Sequence, residues 1–163
     1  MKIELTIDEQ GQVISALTGF ESDLTRRLDT GMRKAVNMAE TAVSGFTPVN
    51  TGSLRGSITT NVVGTPVSVM GEVVTDIVYG WPVEEGRRPG QMPPVSAIEL
   101  WVRRKLGISG LEARRVAFVV ARAIGKRGTR GAFMFKKGFE QVRPAILSLF
   151  ERIVDEATRA FGR

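Results

Sequence analysis

The stretch TPVNTGSLRGSI, Thr47–Ile58, lies where the helical pattern of the chain gives way to strand patterns. Pro48 cannot continue a helix, and the tripeptide Asn50–Gly52 consists of residues that favour a turn. Alternation of apolar and polar residues begins after Leu54, which is typical of a strand. The stretch therefore predicts a corner between a helix and a sheet, at which Pro48 and Gly52 have a structural role.

The same stretch has a second interpretation as an anion site. Its segment TGSLRGS, residues 51–57, combines hydroxyls, two glycines and an arginine, and glycine lets backbone N–H groups converge on a phosphate. It lacks the G-x-x-x-x-G-K-[ST] pattern, however, and leads into a strand rather than a helix. The structural interpretation accounts for every residue and is favoured.

Upstream of the corner, the apolar residues recur at three- and four-residue spacing, which predicts one long amphipathic helix over Phe20–Phe46. Gly45 and Pro48 mark its end. Before it, the alternation in KIELTID, residues 2–8, predicts a short half-buried strand. The Asp-Glu-Gln-Gly stretch at residues 8–11 predicts a turn between the two.

Downstream of the corner, three β-rich runs predict strands at Ser57–Val63, Val67–Thr75 and Ile77–Trp81. Their short connections favour an antiparallel meander. Three prolines and two glycines between Val83 and Pro94 then predict an irregular loop.

The rest of the chain has helical patterns separated by glycines. Helices are predicted at Val95–Leu106, Leu111–Ile124 and Lys137–Phe161, with Pro144 near the start of the last one, and a glycine-rich basic loop at Gly125–Phe133. Consecutive strands and segregated helices indicate an α+β fold. We predict an antiparallel β-meander packed against a long N-terminal helix and a C-terminal helix, in a single domain over residues 1–163.

Composition excludes several classes of chemistry. The 163 residues contain no cysteine and no histidine, which excludes zinc fingers, iron–sulfur clusters, thiol catalysis and Ser-His-Asp chemistry. No apolar run approaches the roughly 20 residues of a membrane span, and the N-terminus MKIELTIDEQ is too polar for a signal peptide. We therefore expect a soluble, intracellular protein.

The net charge of +6 is unevenly distributed along the chain. Residues 1–100 carry 8 Lys+Arg against 12 Asp+Glu, whereas residues 101–163 carry 15 against 5. Such asymmetry indicates either a polyanionic partner or head-to-tail contact between copies of the chain. A solvated basic surface that keeps the protein soluble is the third possibility.

Two further patterns resemble catalytic or binding motifs. Glu84 and Glu85 are adjacent carboxylates, but neighbours on an extended chain point to opposite sides. A salt bridge with Arg87 or Arg88, within the chain or to a neighbouring chain, is therefore favoured over catalysis. The segment GKRGTRG, residues 125–131, is either a contact to a nucleic-acid backbone or a solvated turn. Three aromatic residues are interpreted as core rather than stacking platforms: Trp81, Trp101 and Phe133.

Three ordered stretches together resemble a protein family. They are Thr47–Ile58, then Tyr79–Gly86 (YGWPVEEG), then Lys126–Gly131 continuing through Met134-Phe135 ahead of the last amphipathic helix. Their order, behind a long N-terminal helix, is similar to that in the neck or tail-completion proteins of long-tailed double-stranded-DNA bacteriophages and prophages, also called head–tail joining or minor tail proteins. The resemblance covers most of the chain.

The resemblance implies a structural protein of the virion without catalytic activity or cofactor. It implies copies arranged in a ring, expected to be hexameric, at the head-proximal end of the tail. Other neck and tail proteins would be partners, and double-stranded DNA would pass through the channel without sequence-specific contacts. The protein would lie in the virion neck, and in the host cytoplasm during assembly, with no membrane partner.

Charged residues near the two glycine-rich loops are the candidate contacts to neighbouring subunits or to DNA in the channel. They are Glu84, Glu85, Arg87, Arg88, Lys126, Arg127, Arg130, Lys136 and Lys137. We expect the loops at residues 83–94 and 125–133 to be mobile and to become ordered on docking. The alternative function is that of a basic protein that binds nucleic acid without sequence preference.

Overall fold

The computed structural model describes residues 7–65 and 68–161. In chain order the elements are α1 (Ile7–Phe46), α2 (Ser53–Gly56), β1 (Ile58–Thr65), β2 (Ser68–Thr75), α3 (Gly80–Glu85), β3 (Gly86–Arg87), α4 (Val95–Leu106), α5 (Gly110–Arg127), β4 (Thr129–Arg130) and α6 (Met134–Phe161). β1 pairs with β2, and β3 pairs with β4, both antiparallel. The predicted α+β class, with a long N-terminal helix and a C-terminal helix, is confirmed.

The N-terminal helix is longer than the periodicity predicted. α1 begins at Ile7, so the turn predicted at residues 8–11 is wrong. Of the strand predicted at residues 2–8, residues 2–6 lie outside the described residues, and the last two are helical. Gly11 misled the prediction, because one glycine costs only about 1 kcal/mol inside a helix, which a 40-residue helix can absorb.

The predicted meander is a two-stranded hairpin. β1 and β2 lie where the first two strands were predicted, but the third, at Ile77–Trp81, is not a strand. There the Gly80 N–H donates to the carbonyl oxygen of Ile77 at 2.8 Å, and the chain enters α3 instead. Pro82 fits this short helix because its missing N–H falls in the first turn.

Two other element predictions also need correction. The last helix begins at Met134, three residues earlier than predicted, so Pro144 lies inside α6 rather than near its start. The region Val83–Pro94, predicted as an irregular loop, contains the end of α3 and all of β3. In both places contacts with distant residues extend regular structure past a local breaker.

The chain forms two compact units. The first comprises residues 1–42, 60–74 and 139–163. Its core brings together α1, β2 and α6, where buried Ala39, Ala42 and Val142 pack with Met38, Val73 and Ile146. An ion pair of 3.6 Å joins Arg27 of α1 to Glu156 of α6. Arg27 and then Arg26 donate hydrogen bonds to Asp23 of α1, which holds the pKa of that carboxyl below its usual range.

The second unit comprises residues 43–59 and 75–138. At its centre α4 packs against α5, with Val102 of α4 fully buried. Ala113 and Ala117 of α5 pack in the same cluster as Val102, and Ala121, one turn further on, is also fully buried. Their spacing of four residues places them on one helix face, and their small side chains let the two helices approach closely.

The corner at Thr47–Ile58 is a structural element, as predicted. The buried Thr47 donates its hydroxyl to the carbonyl oxygen of Val43 at 2.7 Å, which closes the end of α1. Gly52 has φ +85° immediately before α2, and buried Leu54 anchors this short helix. The polar groups of the corner bond to one another, which agrees with the structural interpretation.

Gly52→Val is expected to lower the free energy of unfolding by about 1–2 kcal/mol, because a β-branched residue is strained at a left-handed φ. Gly56→Val is the matched control, because Gly56 ends the short helix α2 that begins directly after Gly52. Gly56 does not have a left-handed φ, and an added Cβ there would have no neighbour within 4 Å. Urea unfolding of both variants checks this prediction. Equal destabilisation by the two valines would contradict it.

Candidate functional site

The two glycine-rich segments predicted as mobile loops pair with each other. In β3 and β4, Gly86 lies opposite Arg130, and Arg87 lies opposite Thr129. The pairing continues on either side through hydrogen bonds from Ala132 N–H to Val83 O (2.8 Å), Phe133 N–H to Glu84 O (3.1 Å) and Gly90 N–H to Gly125 O (2.7 Å). We call residues 83–90 and 125–133 the β3–β4 junction. The two segments are thus joined to each other by backbone hydrogen bonds within one chain.

Three glycines let the two backbones of the junction approach. A Cβ on Gly86, Gly128 or Gly131 would fall onto a backbone carbonyl oxygen of the opposite segment, that of Thr129, Arg87 or Glu84 respectively. Gly86 and Gly128 also have φ values of +84° and +71°. These positions require glycine on steric grounds.

Glu84 caps α6 from the junction. Its carboxylate accepts hydrogen bonds from the backbone N–H groups of Phe135 (3.0 Å) and Lys136 (3.1 Å), in the first turn of that helix. A negative charge there also interacts favourably with the helix dipole. In the described part of the chain neither Glu84 nor Glu85 forms an ion pair with Arg87 or Arg88, so the salt bridge predicted within the chain is wrong, and one to a neighbouring chain stays a prediction.

Glu84→Ala is expected to lower the free energy of unfolding by about 1–2 kcal/mol, since two N–H groups lose their acceptor. Glu85→Ala is the matched control: this neighbour is exposed, and its removal should change stability by less than about 0.5 kcal/mol. Thermal unfolding of the two variants measures the difference. A loss of stability in Glu85→Ala as large as that in Glu84→Ala would rule out the capping role.

The candidate cations lie in and beside the junction. Arg87 is half-buried, and six others are exposed: Arg88, Lys126, Arg127, Arg130, Lys136 and Lys137. None of the seven forms an ion pair with another residue in the described part of the chain. Of these seven side chains, that of Lys137 forms a hydrogen bond within the described residues: its ammonium donates to the carbonyl oxygen of Ala132 at 2.7 Å. The others are available to an external anion.

The charge asymmetry of the sequence is also present between the two units of the fold. The second unit carries 14 Lys+Arg against 5 Asp+Glu, a net of +9, and the first carries 9 against 12, a net of −3. Part of the positive charge predicted for the C-terminal half falls in the balanced α6 segment of the first unit. The basic surface is therefore a property of the α4–α5 pair and the junction.

The three aromatic residues interpreted as core are exposed. Trp81 is 72% accessible, and Trp101 and Phe133 are also exposed. The interpretation was wrong; for Trp101, which lies on α4, smaller aliphatic side chains form the α4–α5 core instead. Of the three, Trp81 offers the largest accessible aromatic surface.

A surface on α5 was missed by the sequence analysis. Leu111 and Val119 are each 66% accessible, and Phe118 between them is exposed. They line a groove of 490 Å³ together with Val95, Arg114 and Arg115. The signal was present in the sequence, since α5 carries apolar residues on more than one face.

The described residues contain no cluster of three or more Asp and Glu side chains placed to hold a metal ion. Within residues 7–65 and 68–161, no helix combines the length and apolar character needed to cross a membrane. Comparison with protein-family models, with curated proteins and with solved structures gives no match to this chain.

Proposed function

We propose that this chain is a structural neck or tail-completion protein of a phage or prophage, which assembles as a ring and joins tail to head around a channel for DNA. The resemblance of three sequence stretches to that family is one support. The observation that carries the proposal is the surface of the second unit, which combines a net charge of +9 with exposed tryptophan and phenylalanine side chains.

Such a surface fits a protein that works by contact with other macromolecules. Aromatic residues and arginine are enriched in protein–protein interfaces, where they supply most of the binding energy. Trp81 and Phe118 are exposed in the isolated chain, whereas polar groups at the corner and at the helix cap are satisfied internally. The exposed side chains of Trp81 and Phe118 can therefore contact another molecule, whereas these polar groups already have hydrogen-bond partners within the chain.

The role assigned to Glu84 supports a structural rather than catalytic protein. Glu84 and Glu85 are the adjacent carboxylates that the sequence offered as a catalytic pair. The Glu84 carboxylate already accepts two backbone hydrogen bonds from the first turn of α6. A carboxylate that accepts two backbone hydrogen bonds stabilises a helix end and is not free to transfer a proton.

The second candidate function is sequence-nonspecific binding of nucleic acid. The exposed cations of the β3–β4 junction favour it, because each phosphate contact adds affinity that falls steeply with salt. In a connector the same cations would face the DNA channel or an acidic surface of a neighbour.

Electron microscopy of the purified protein separates the two candidates. A connector is expected to form closed rings with a central channel wide enough for a DNA duplex. A nucleic-acid-coating protein is expected to remain without rings and to bind duplex DNA with a steep dependence on salt. Rings absent at every concentration, with such DNA binding, would contradict the connector.

Arg127→Glu with Arg130→Glu is expected to weaken ring assembly or DNA passage while leaving the fold intact, since Arg127 and Arg130 are exposed. The matched control reverses two exposed cations of α6, Arg143→Glu with Arg152→Glu. Virion yield, or the yield of rings and their DNA affinity, measures the effect. Unchanged yield and affinity in the junction variant would remove these two cations from the proposed role.

A further inference from the structure

We propose that the contact between neighbouring copies is formed by an acidic aromatic segment of one copy and an arginine-lined groove of the next. The segment is residues 76–85, DIVYGWPVEE, called here the acidic knob. The groove is that lined by Val95, Leu111, Arg114, Arg115, Phe118 and Val119, called the arginine groove. This inference rests on the proposed function and names the two faces that meet.

The acidic knob presents apolar groups to solvent from a fixed backbone. Val78 is 94% accessible and Trp81 72%, with Tyr79 also exposed between them. Gly80 is buried in the middle of the knob, and a Cβ there would lie 3.0 Å from Thr75 and 3.7 Å from Leu54. The turn is thus anchored inward at its glycine, which directs the side chains on either side outward.

The knob is also held at its C-terminal end. Val83 O and Glu84 O accept backbone hydrogen bonds from Ala132 and Phe133, and the Glu84 carboxylate caps α6. Little conformational entropy remains to be lost when such a segment binds, and preorganisation of this kind raises affinity. An exposed tryptophan on a backbone that is held in place has the properties of a binding hot spot.

The charges of the two surfaces are opposite. The knob contains Asp76, Glu84 and Glu85 and no lysine or arginine, and Asp76 and Glu85 are exposed. The groove has Arg114 and Arg115 on its wall, with Arg122 two turns from Arg115 on the same face of α5. None of these three arginines forms an ion pair with a residue in the part of the chain that the structure describes.

The apolar groups of the two surfaces also match in kind. Leu111, Phe118 and Val119 offer the groove an apolar floor, and its volume of 490 Å³ admits an aromatic side chain. An indole packed there would lie beside two guanidinium groups, and arginine on the face of a tryptophan adds a cation–π attraction. The size of the groove, its apolar lining and its charge therefore agree on the same occupant.

A knob-in-groove contact is heterologous, because the two surfaces are different parts of the chain. An end copy then has one free knob or groove, so association gives a closed ring if the rotation between copies closes and an open filament if it does not. Both the acidic knob and the arginine groove lie in the second unit, whose net charge is positive. The attraction is therefore local, between the exposed carboxylates Asp76 and Glu85 of the knob and the arginines of the groove, rather than between the two halves of the sequence.

Cysteine cross-linking tests the contact, because the natural chain contains no cysteine. Val78→Cys in one copy and Val119→Cys in a second copy of different tag length should give a mixed dimer with a short thiol cross-linker. Val78→Cys alone and Val119→Cys alone should not. The control mixture pairs Val119→Cys with Met70→Cys, an exposed residue of the first unit, and should give no mixed dimer.

Three results would overturn the inference. One is cross-linking of Val119→Cys with itself alone, which indicates a symmetric contact. Another is an internal cross-link in the double variant Val78→Cys/Val119→Cys, and the third is no cross-link in the mixture. As a second measurement, Trp81→Ala should raise the concentration for half-assembly about 30-fold, whereas Met70→Ala should not change it.

The proposed function can fail separately from this contact. Mixed cross-links in open filaments would support the contact and contradict a ring connector. Closed rings that lack the cross-link, and that survive Trp81→Ala with an unchanged melting temperature, would overturn the contact and leave the connector standing.

Discussion

Gly128→Ala is expected to lower the free energy of unfolding by about 3 kcal/mol, a large loss for the addition of a single methyl group. Gly128 combines a φ of +71° with a position at which a Cβ falls onto the carbonyl oxygen of Arg87. The backbone conformation and the contact across the β3–β4 junction both oppose a side chain.

Gly107→Ala separates these two causes. Gly107 has nearly the same φ, +69°, but nothing lies within 4 Å of an added Cβ. Its replacement should therefore cost only the strain of a left-handed residue, about 1 kcal/mol. Urea unfolding gives both values. Equal losses in the two variants would show that the close approach of β3 to β4 has no energetic role.

Gly138→Ala is the second large effect, with an expected loss of about 2–3 kcal/mol. Gly138 lies inside α6, where alanine normally stabilises a helix by up to about 1 kcal/mol. Here a Cβ would lie 2.7 Å from the backbone nitrogen of Val43 and 2.9 Å from its Cα. Because that neighbour is the backbone of α1, it cannot rotate away.

Gly19→Ala is the control for this prediction. Gly19 also lies inside a helix, α1, and has no neighbour within 4 Å of an added Cβ, so its replacement should stabilise the protein slightly. The prediction is thus a difference of sign between two identical substitutions, which thermal unfolding measures. Stabilisation by Gly138→Ala would contradict the close crossing of α1 and α6 at this point.

The sequence predicted those parts of the fold that depend on local periodicity. α4 was predicted with its observed bounds of Val95 and Leu106, and α1, α5 and α6 were each found from their apolar spacing. The turn at Gly52 was found because glycine after asparagine and threonine has a local meaning. These features need no knowledge of distant residues.

The β3–β4 junction was not predictable in this way. Gly86 and Gly131 appear in the sequence as loop glycines, but their role comes from a backbone about forty residues away. Two-residue strands carry too little pattern to be detected. Glu84 was missed as a cap for the same reason, since α6 begins fifty residues later in the chain.

The sequence shows apolar residues on more than one face of α5, but periodicity does not say which of those faces is covered. In α5 the small face of Ala113 and Ala117 is buried, and the larger Leu111 and Phe118 are not. A ranking by hydrophobicity alone would bury Leu111 and Phe118 and expose the two alanines. Only the position of α4 decides which face becomes core.

Association of this chain with copies of itself underlies both the ring and the knob-in-groove contact, and native mass spectrometry of the purified protein measures it directly. We expect a single closed oligomer above a threshold concentration, with a defined number of copies and no ladder of larger species. A chain that remains monomeric up to its highest soluble concentration would contradict this expectation.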